Sequence, residues 1–124
     1  MNKQLTFRAL KTSDIETVLE IYNFHIQNGF ANFEEKPFLY NDFFDLCQNI
    51  INIKLPFIVC IFNKKVIGFA FLNNFRNKSG YRYSFENSIY LNSDYAGKGI
   101  GSKLLEELIS ISSKNSKIKN IIQG

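Results

Sequence analysis

Hydrophobic positions along this chain change period several times, and each change marks an element. Leu5-Thr6-Phe7-Arg8-Ala9-Leu10 alternates apolar and polar residues, the period of a strand with one buried face. Thr12-Ser13-Asp14 stops it. Ile15, Val18, Leu19, Tyr22 and Ile26 then recur at helical spacing and predict a helix from about Asp14 to Gln27. Ser13 with Glu16 forms its capping box, and Asn28-Gly29 ends it. Phe30 to Tyr40 is aromatic without a period and contains Pro37, so it reads as a loop packed over another element. Asn41-Asp42 caps a second helix to about Ile53, with Phe43, Phe44, Leu46, Cys47, Ile50 and Ile51 apolar, and Leu55-Pro56 breaks it.

The period then shortens. Phe57 to Phe62 is a continuous apolar run, a strand buried on both faces. Asn63-Lys64-Lys65 is a hairpin turn, and Val66 to Leu72 is the return strand, where Gly68 marks a close approach or a bulge. Asn73 to Gly80 is a polar loop before a strand from Tyr81 to Leu91. Asn92-Ser93-Asp94 is a turn cluster. Beyond it Ile100, Leu104, Leu105, Leu108 and Ile109 line one face of a third helix. Ser112 to Ser116 is a polar linker, and Lys117 to Gln123 is strand-like. The order β-α-α-β-β-β-α-β implies antiparallel hairpins early and a parallel pair at the end, hence an α/β domain over residues 1–124 whose mixed central sheet carries helices on both faces.

Between the last long strand and the third helix, Gly97, Gly99 and Gly101 alternate with Lys98 and Ile100. The first N–H groups of a helix lack internal partners and its dipole makes that end positive, while glycines let an anion reach the backbone. The ligand suited to Gly97, Lys98, Gly99, Ile100, Gly101 and Ser102 is a phosphate or pyrophosphate. The dinucleotide pattern G-x-G-x-x-G fails, since its third glycine falls on Ser102 or Leu104, and no P-loop is present.

Composition narrows the partners. Net charge is +4 and pI about 9.1, which suits an anionic ligand. Apart from Lys114, Lys117 and Lys119 the lysines are dispersed, with no basic run interleaved with aromatics, so nucleic acid is the weaker reading. Met1 to Leu5 lacks an apolar leader and no run is long enough for a membrane span, which implies a cytoplasmic protein without a membrane partner. Cys47 and Cys60 lack metal-ligand spacing and read as reduced, partly buried thiols; His25 reads as a helix-surface or packing residue, and no metal is expected.

Ala96-Gly97-Lys98-Gly99-Ile100-Gly101 resembles the R/Q-x-x-G-x-G/A acetyl-CoA signature of the GCN5-related N-acetyltransferases, with Ala96 in its first position. Ile21-Tyr22-Asn23, Ala31 to Pro37, Phe75-Arg76 and Tyr81 to Leu91 resemble, more narrowly, the phosphinothricin / methionine sulfoximine N-acetyltransferases. The resemblance implies direct acetyl transfer from acetyl-CoA to the amine of a small amino-acid analogue. It also implies a fold that continues past this chain's last strand, so that the chain lacks a final helix and strands. Two expectations follow: a truncated remnant without turnover is the alternative function, and an apolar open edge at Lys117 to Gln123 favours a homodimer.

By the same resemblance, Ile89, Tyr90 and Leu91 offer backbone groups to the pantetheine arm and the thioester oxygen. Glu86 is the base that frees the amine, or else a strand carboxylate paired to Arg82 or Arg76. Arg76 and Arg82 are candidates for holding a substrate carboxylate, because a guanidinium matches that group bidentately. Phe33 walls the substrate pocket or belongs to the core.

Overall fold

The computed structural model describes residues 5–27, 38–76, 83–113 and 121–123. The elements run β1 (Thr6–Ala9), α1 (Ile15–Gln27), α2 (Tyr40–Asn52), β2 (Phe57–Phe62), β3 (Lys65–Arg76), β4 (Tyr83–Leu91), α3 (Ile100–Ser113) and β5 (Ile121–Gln123), with single 3-10 turns at Thr12–Asp14 and Ser93–Tyr95. The order is the one the periodicity predicts. One sheet is formed in the order β1-β2-β3-β4-β5, antiparallel except for the parallel β4–β5 pair.

Several boundaries differ from the sequence reading. Asn73 to Arg76 are not loop but the continuation of β3, because β4 supplies partners as far as Arg76↔Tyr83; cross-strand pairing outweighs the low strand propensity of two asparagines. Ser112 and Ser113 are not linker but the last turn of α3, where each hydroxyl donates back to a helix carbonyl. Leu39 precedes α2, so Asn41 and Asp42 lie inside its first turn. Ser13 and Glu16 do not cap α1. That end is set by Asp14, whose N–H bonds the Lys11 carbonyl at 2.9 Å and whose carboxylate accepts from the Lys11 N–H at 2.8 Å. Arg8 on β1 closes on the same carboxylate with two bonds of 2.6 and 2.9 Å, and this guanidinium holds the buried Asp14 carboxyl below its ordinary range. The expected helix end at Asn28-Gly29, the expected loop to Pro37, and Lys117 to Asn120 of the expected last strand lie outside the described residues.

The helices divide between the two faces of the sheet. Residues directly opposite in register share a face, and neighbours along a strand alternate. Phe57, Phe69, Phe71 and Tyr90 make a ladder of rings on one face, with centroids 4.8 Å (Phe57–Phe71) and 5.2 Å (Phe69–Tyr90) apart. Tyr22 of α1 meets Tyr90 at 5.1 Å and Phe43 of α2 at 5.5 Å, so α1 and α2 cover this face. Gly68, Ala70 and Leu72 look the other way, onto Leu104 and Leu108 of α3. Gly68 is a close approach: a Cβ there would stand 2.8 Å from Leu91 Cδ1 and 3.2 Å from Leu104 Cδ1. The bulge lies one residue further toward the hairpin, where Cys60↔Gly68 is followed by Ile61↔Val66. Asn63 and Lys64 turn the hairpin with φ of 53° and 66°.

Cys47 on α2 and Cys60 on β2 are fully rather than partly buried, and burial pushes their thiols up to about 12 and about 11. No helix among the described residues is long and apolar enough to cross a membrane, and no group of three or more His, Cys, Asp or Glu side chains among them could hold a metal.

Candidate functional site

The end of β4 and the start of α3 together make a strand edge that runs into a glycine-rich turn at a helix N-terminus. The edge follows from the hydrogen-bond phase. Asn92 N–H donates to the Ile67 carbonyl at 2.7 Å, and Leu72 N–H to the Pro56 carbonyl at 3.1 Å. These bonds bracket Gly68↔Leu91 and Phe57↔Phe71 as pairs that do not bond each other. Alternation then turns the backbone groups of Tyr90, Ser88 and Glu86 toward β3. It turns those of Leu91, Ile89 and Asn87 toward the β5 side. Among the described residues β5 pairs only with Phe85 to Asn87. The N–H and C=O groups of Ile89 and the N–H of Leu91 therefore face the β5 side beyond that paired stretch, while the Leu91 carbonyl is engaged by His25. Tyr90 pairs in register with Phe69 of β3, and its ring packs among Tyr22, Phe69 and His25.

From Leu91 the chain turns in a fixed way. The Asn92 side chain accepts from Asp94 N–H at 2.9 Å, and the Asn92 carbonyl accepts from Tyr95 N–H at 2.9 Å. Gly97 and Gly99 then take φ of 79° and 78°, a region in which a side chain is strained. Ideal Cβ atoms at Gly97, Gly99 and Gly101 meet nothing within 4 Å, so the space in front of the turn is open. Ile100, Gly101 and Ser102 open α3, a helix of 14 residues, and their N–H groups are those a helix cannot satisfy internally. Lys98 is exposed, its Nζ 5.8 Å from the Tyr95 ring centroid, and a concavity of about 590 Å³ lined by Tyr95, Lys98, Ile100 and Lys103 flanks the turn. A concavity of about 640 Å³ between α1 and α2, with Glu16, Glu20 and Tyr40 in its wall, shares no residue with this region.

Of the remaining expected site residues, Glu86 lies on β4 opposite Asn73 and beside Ile122 of β5, three residues upstream of the Ile89 edge. Arg76 closes β3 opposite Tyr83. Phe33 and Arg82 lie outside the described residues. His25 is a packing residue, one of the two readings the sequence offered, and it also makes a backbone contact. It is half-buried, its ring centroid 5.6 Å from that of Tyr90, and its Nε2 stands 2.6 Å from the Leu91 carbonyl oxygen. A carbonyl only accepts, so Nε2 carries the proton. One signal was available: His25 follows Val18, Ile21 and Tyr22 at helical spacing, on the buried stripe of α1.

The chain matches the acetyltransferase (GNAT) family over residues 18–122 and belongs to it. Its relatives include the phosphinothricin N-acetyltransferase of Alcaligenes faecalis, 32% identical over 85% of this chain and 53% of that protein. The L-methionine sulfoximine/L-methionine sulfone acetyltransferase of Salmonella typhimurium is 29% identical over 85% of this chain and 61% of that protein. A crystal structure of a phosphinothricin acetyltransferase from Sinorhizobium meliloti in complex with acetyl-CoA superposes with a TM-score of 0.78 at 35% identity, over 86% of this chain and 58% of that one. The chain thus spans between half and two thirds of the length of these relatives.

Proposed function

We propose that this chain carries the cofactor half of an acetyl-CoA-dependent N-acetyltransferase that acts on the amine of a small amino-acid analogue, of the phosphinothricin or methionine sulfoximine type. One observation carries the reading: a strand edge at Ile89, which pairs with no strand on its β5 side among the described residues, leads directly into a Gly97–Ser102 turn with open space before it at a helix N-terminus. The two parts match the two chemistries of the cofactor. A pyrophosphate suits the N–H groups of Gly97 to Ser102 with Lys98 beside them. A chain of amides suits a strand edge, which offers donors and acceptors in alternation. The related crystal structure that holds acetyl-CoA supports the choice of ligand.

Acetyl-CoA supplies the acetyl group as a thioester. The chain's own part is threefold. Glu86 takes one proton from the substrate ammonium, so that the nitrogen lone pair is free to form the new N–C bond; the C–S bond breaks and the sulfur departs as the thiol of coenzyme A with the second proton that the nitrogen sheds. The N–H of Ile89, on this edge, is the donor for the carbonyl oxygen as negative charge gathers on it. Arg76, with Arg82 and Phe33, holds the carboxylate-bearing end of the substrate.

The test is thiol release from acetyl-CoA across phosphinothricin, methionine sulfoximine and methionine sulfone, beside calorimetric binding of coenzyme A. Glu86→Gln should lower turnover by about 10²–10⁴-fold and leave cofactor affinity nearly unchanged. Arg76→Ala should mainly raise KM for the carboxylate substrate. Full turnover by the Glu86 variant at neutral pH removes the base assignment, and absence of coenzyme A binding removes the whole reading.

A further inference from the structure

One peptide unit joins the two parts of the cofactor region. It is the Leu91–Asn92 peptide, and it is held at both ends. Its carbonyl accepts from His25 Nε2 at 2.6 Å, and its N–H donates to the Ile67 carbonyl at 2.7 Å. On one side of it lies the Ile89–Leu91 edge. On the other, the Asn92 side chain begins the turn that leads to Gly97. A peptide plane with both polar groups engaged has lost its freedom to rotate about the neighbouring dihedrals. His25 is itself held: it sits in the last turn of α1, edge-on to Tyr90, whose ring is packed on Tyr22 and Phe69.

We infer that His25 is a positioning residue that fixes the strand edge and the anion cradle relative to each other, so that one extended ligand engages both. The inference rests on the cofactor reading above. Two weak subsites joined by a rigid span bind a two-headed ligand far better than either head, and the gain depends on the span keeping its geometry. Releasing the Leu91 carbonyl leaves the edge and the cradle intact as local structures and loosens only their spacing. A residue with a purely structural role would damage both.

This difference sets the experiment. Binding of coenzyme A, of inorganic pyrophosphate and of pantetheine is measured for the full chain and for His25→Ala and His25→Gln. The wild type is read first, and its failure to bind coenzyme A overturns the cofactor reading itself. Given that binding, His25→Ala should weaken coenzyme A by about tenfold while each fragment changes by less than about twofold. Fragment binding also reports that both subsites are folded. His25→Gln, which places an amide donor at similar reach, should recover most of the loss. Unchanged coenzyme A affinity in His25→Ala overturns the inference, and so do fragment affinities that fall as far as that of coenzyme A.

Discussion

The two faces of the sheet are built from different materials. Under α1 and α2 the contacts are ring on ring: Phe57, Phe69, Phe71 and Tyr90 from the strands, and Tyr22, Phe38 and Phe43 from above. Under α3 they are aliphatic and small, with Gly68 and Ala70 on the strand and Leu104 and Leu108 on the helix. Wide rings hold α1 and α2 at a distance and fill it with contact area. Small residues let α3 come down until Leu104 and Leu91 meet over Gly68. The first face supplies rigidity through side chains. The second sets the height at which a helix N-terminus meets a strand edge, and what it exposes there is backbone.

Substitutions on each face should break this contrast in different ways. The largest effect belongs to the aromatic face: Phe69→Ala, at a fully buried position between two stacked rings, should cost about 3–5 kcal/mol in urea unfolding. A cost below about 1 kcal/mol would mean the ladder is ornament. Next is Gly68→Ala, whose added methyl meets the Leu91 and Leu104 side chains and, at 3.0 Å, the Tyr90 carbonyl oxygen. It should cost about 1–3 kcal/mol and weaken coenzyme A binding at the same time, because α3 must lift. Loss of stability with cofactor affinity unchanged would separate helix height from binding.

Asp14 tests the anchoring of α1 by a polar route. Asp14→Asn, which gives up a carboxylate shared by Arg8 and the Lys11 N–H, should cost about 1–2 kcal/mol at neutral pH. The folded carboxyl titrates below the unfolded one, so its contribution is complete above about pH 4 and is lost as pH falls through the lowered folded value. The gap between wild type and variant should therefore close in acid, and a gap that persists there would count against the ion pair. The smallest effect should have the opposite sign. Gly101→Asp lies in the first turn of α3 with open space around it, so gains in helix propensity and dipole interaction should raise stability by about 0.5 kcal/mol. The same carboxylate should abolish pyrophosphate binding. Pyrophosphate affinity that survives would place the anion elsewhere.

Much of the architecture was legible because side-chain pattern and burial coincide. Ile15, Val18 and Tyr22, or Leu104 and Leu108, repeat with the helix and are buried where they repeat. Phe57 to Phe62 is recovered residue for residue. What escaped depends on partners remote in sequence. Asn73 to Arg76 read as a loop until β4 is set beside them. Ser13 looks like the cap of α1, but Asp14 wins because Arg8 arrives from β1. In the candidate site, the glycine cradle was visible as spacing. The strand edge was visible only as a stretch, because the sorting of Ile89 and Leu91 from Tyr90 is a matter of hydrogen-bond phase, which no side chain records. The backbone contact of His25 escaped for a related reason: its partner is a carbonyl, and carbonyls do not appear in a sequence.

The two thiols bear on how the chain can be assayed. Cys47 lies on the α2 side of the sheet and Cys60, paired in register with Gly68, on the α3 side, so the sheet itself keeps them from joining. Both are sealed from water, with their ionisation pushed to about 12 and about 11. At neutral pH neither presents a thiolate to a disulfide reagent or to an activated acyl group, so neither can be capped in passing by a thioester. With only these two cysteines in the chain, a chromogenic disulfide added to the folded protein stays colourless until some other sulfhydryl is set free. The same reagent in denaturant counts two, so one dye reports acyl transfer under one condition and the opening of the interior under another.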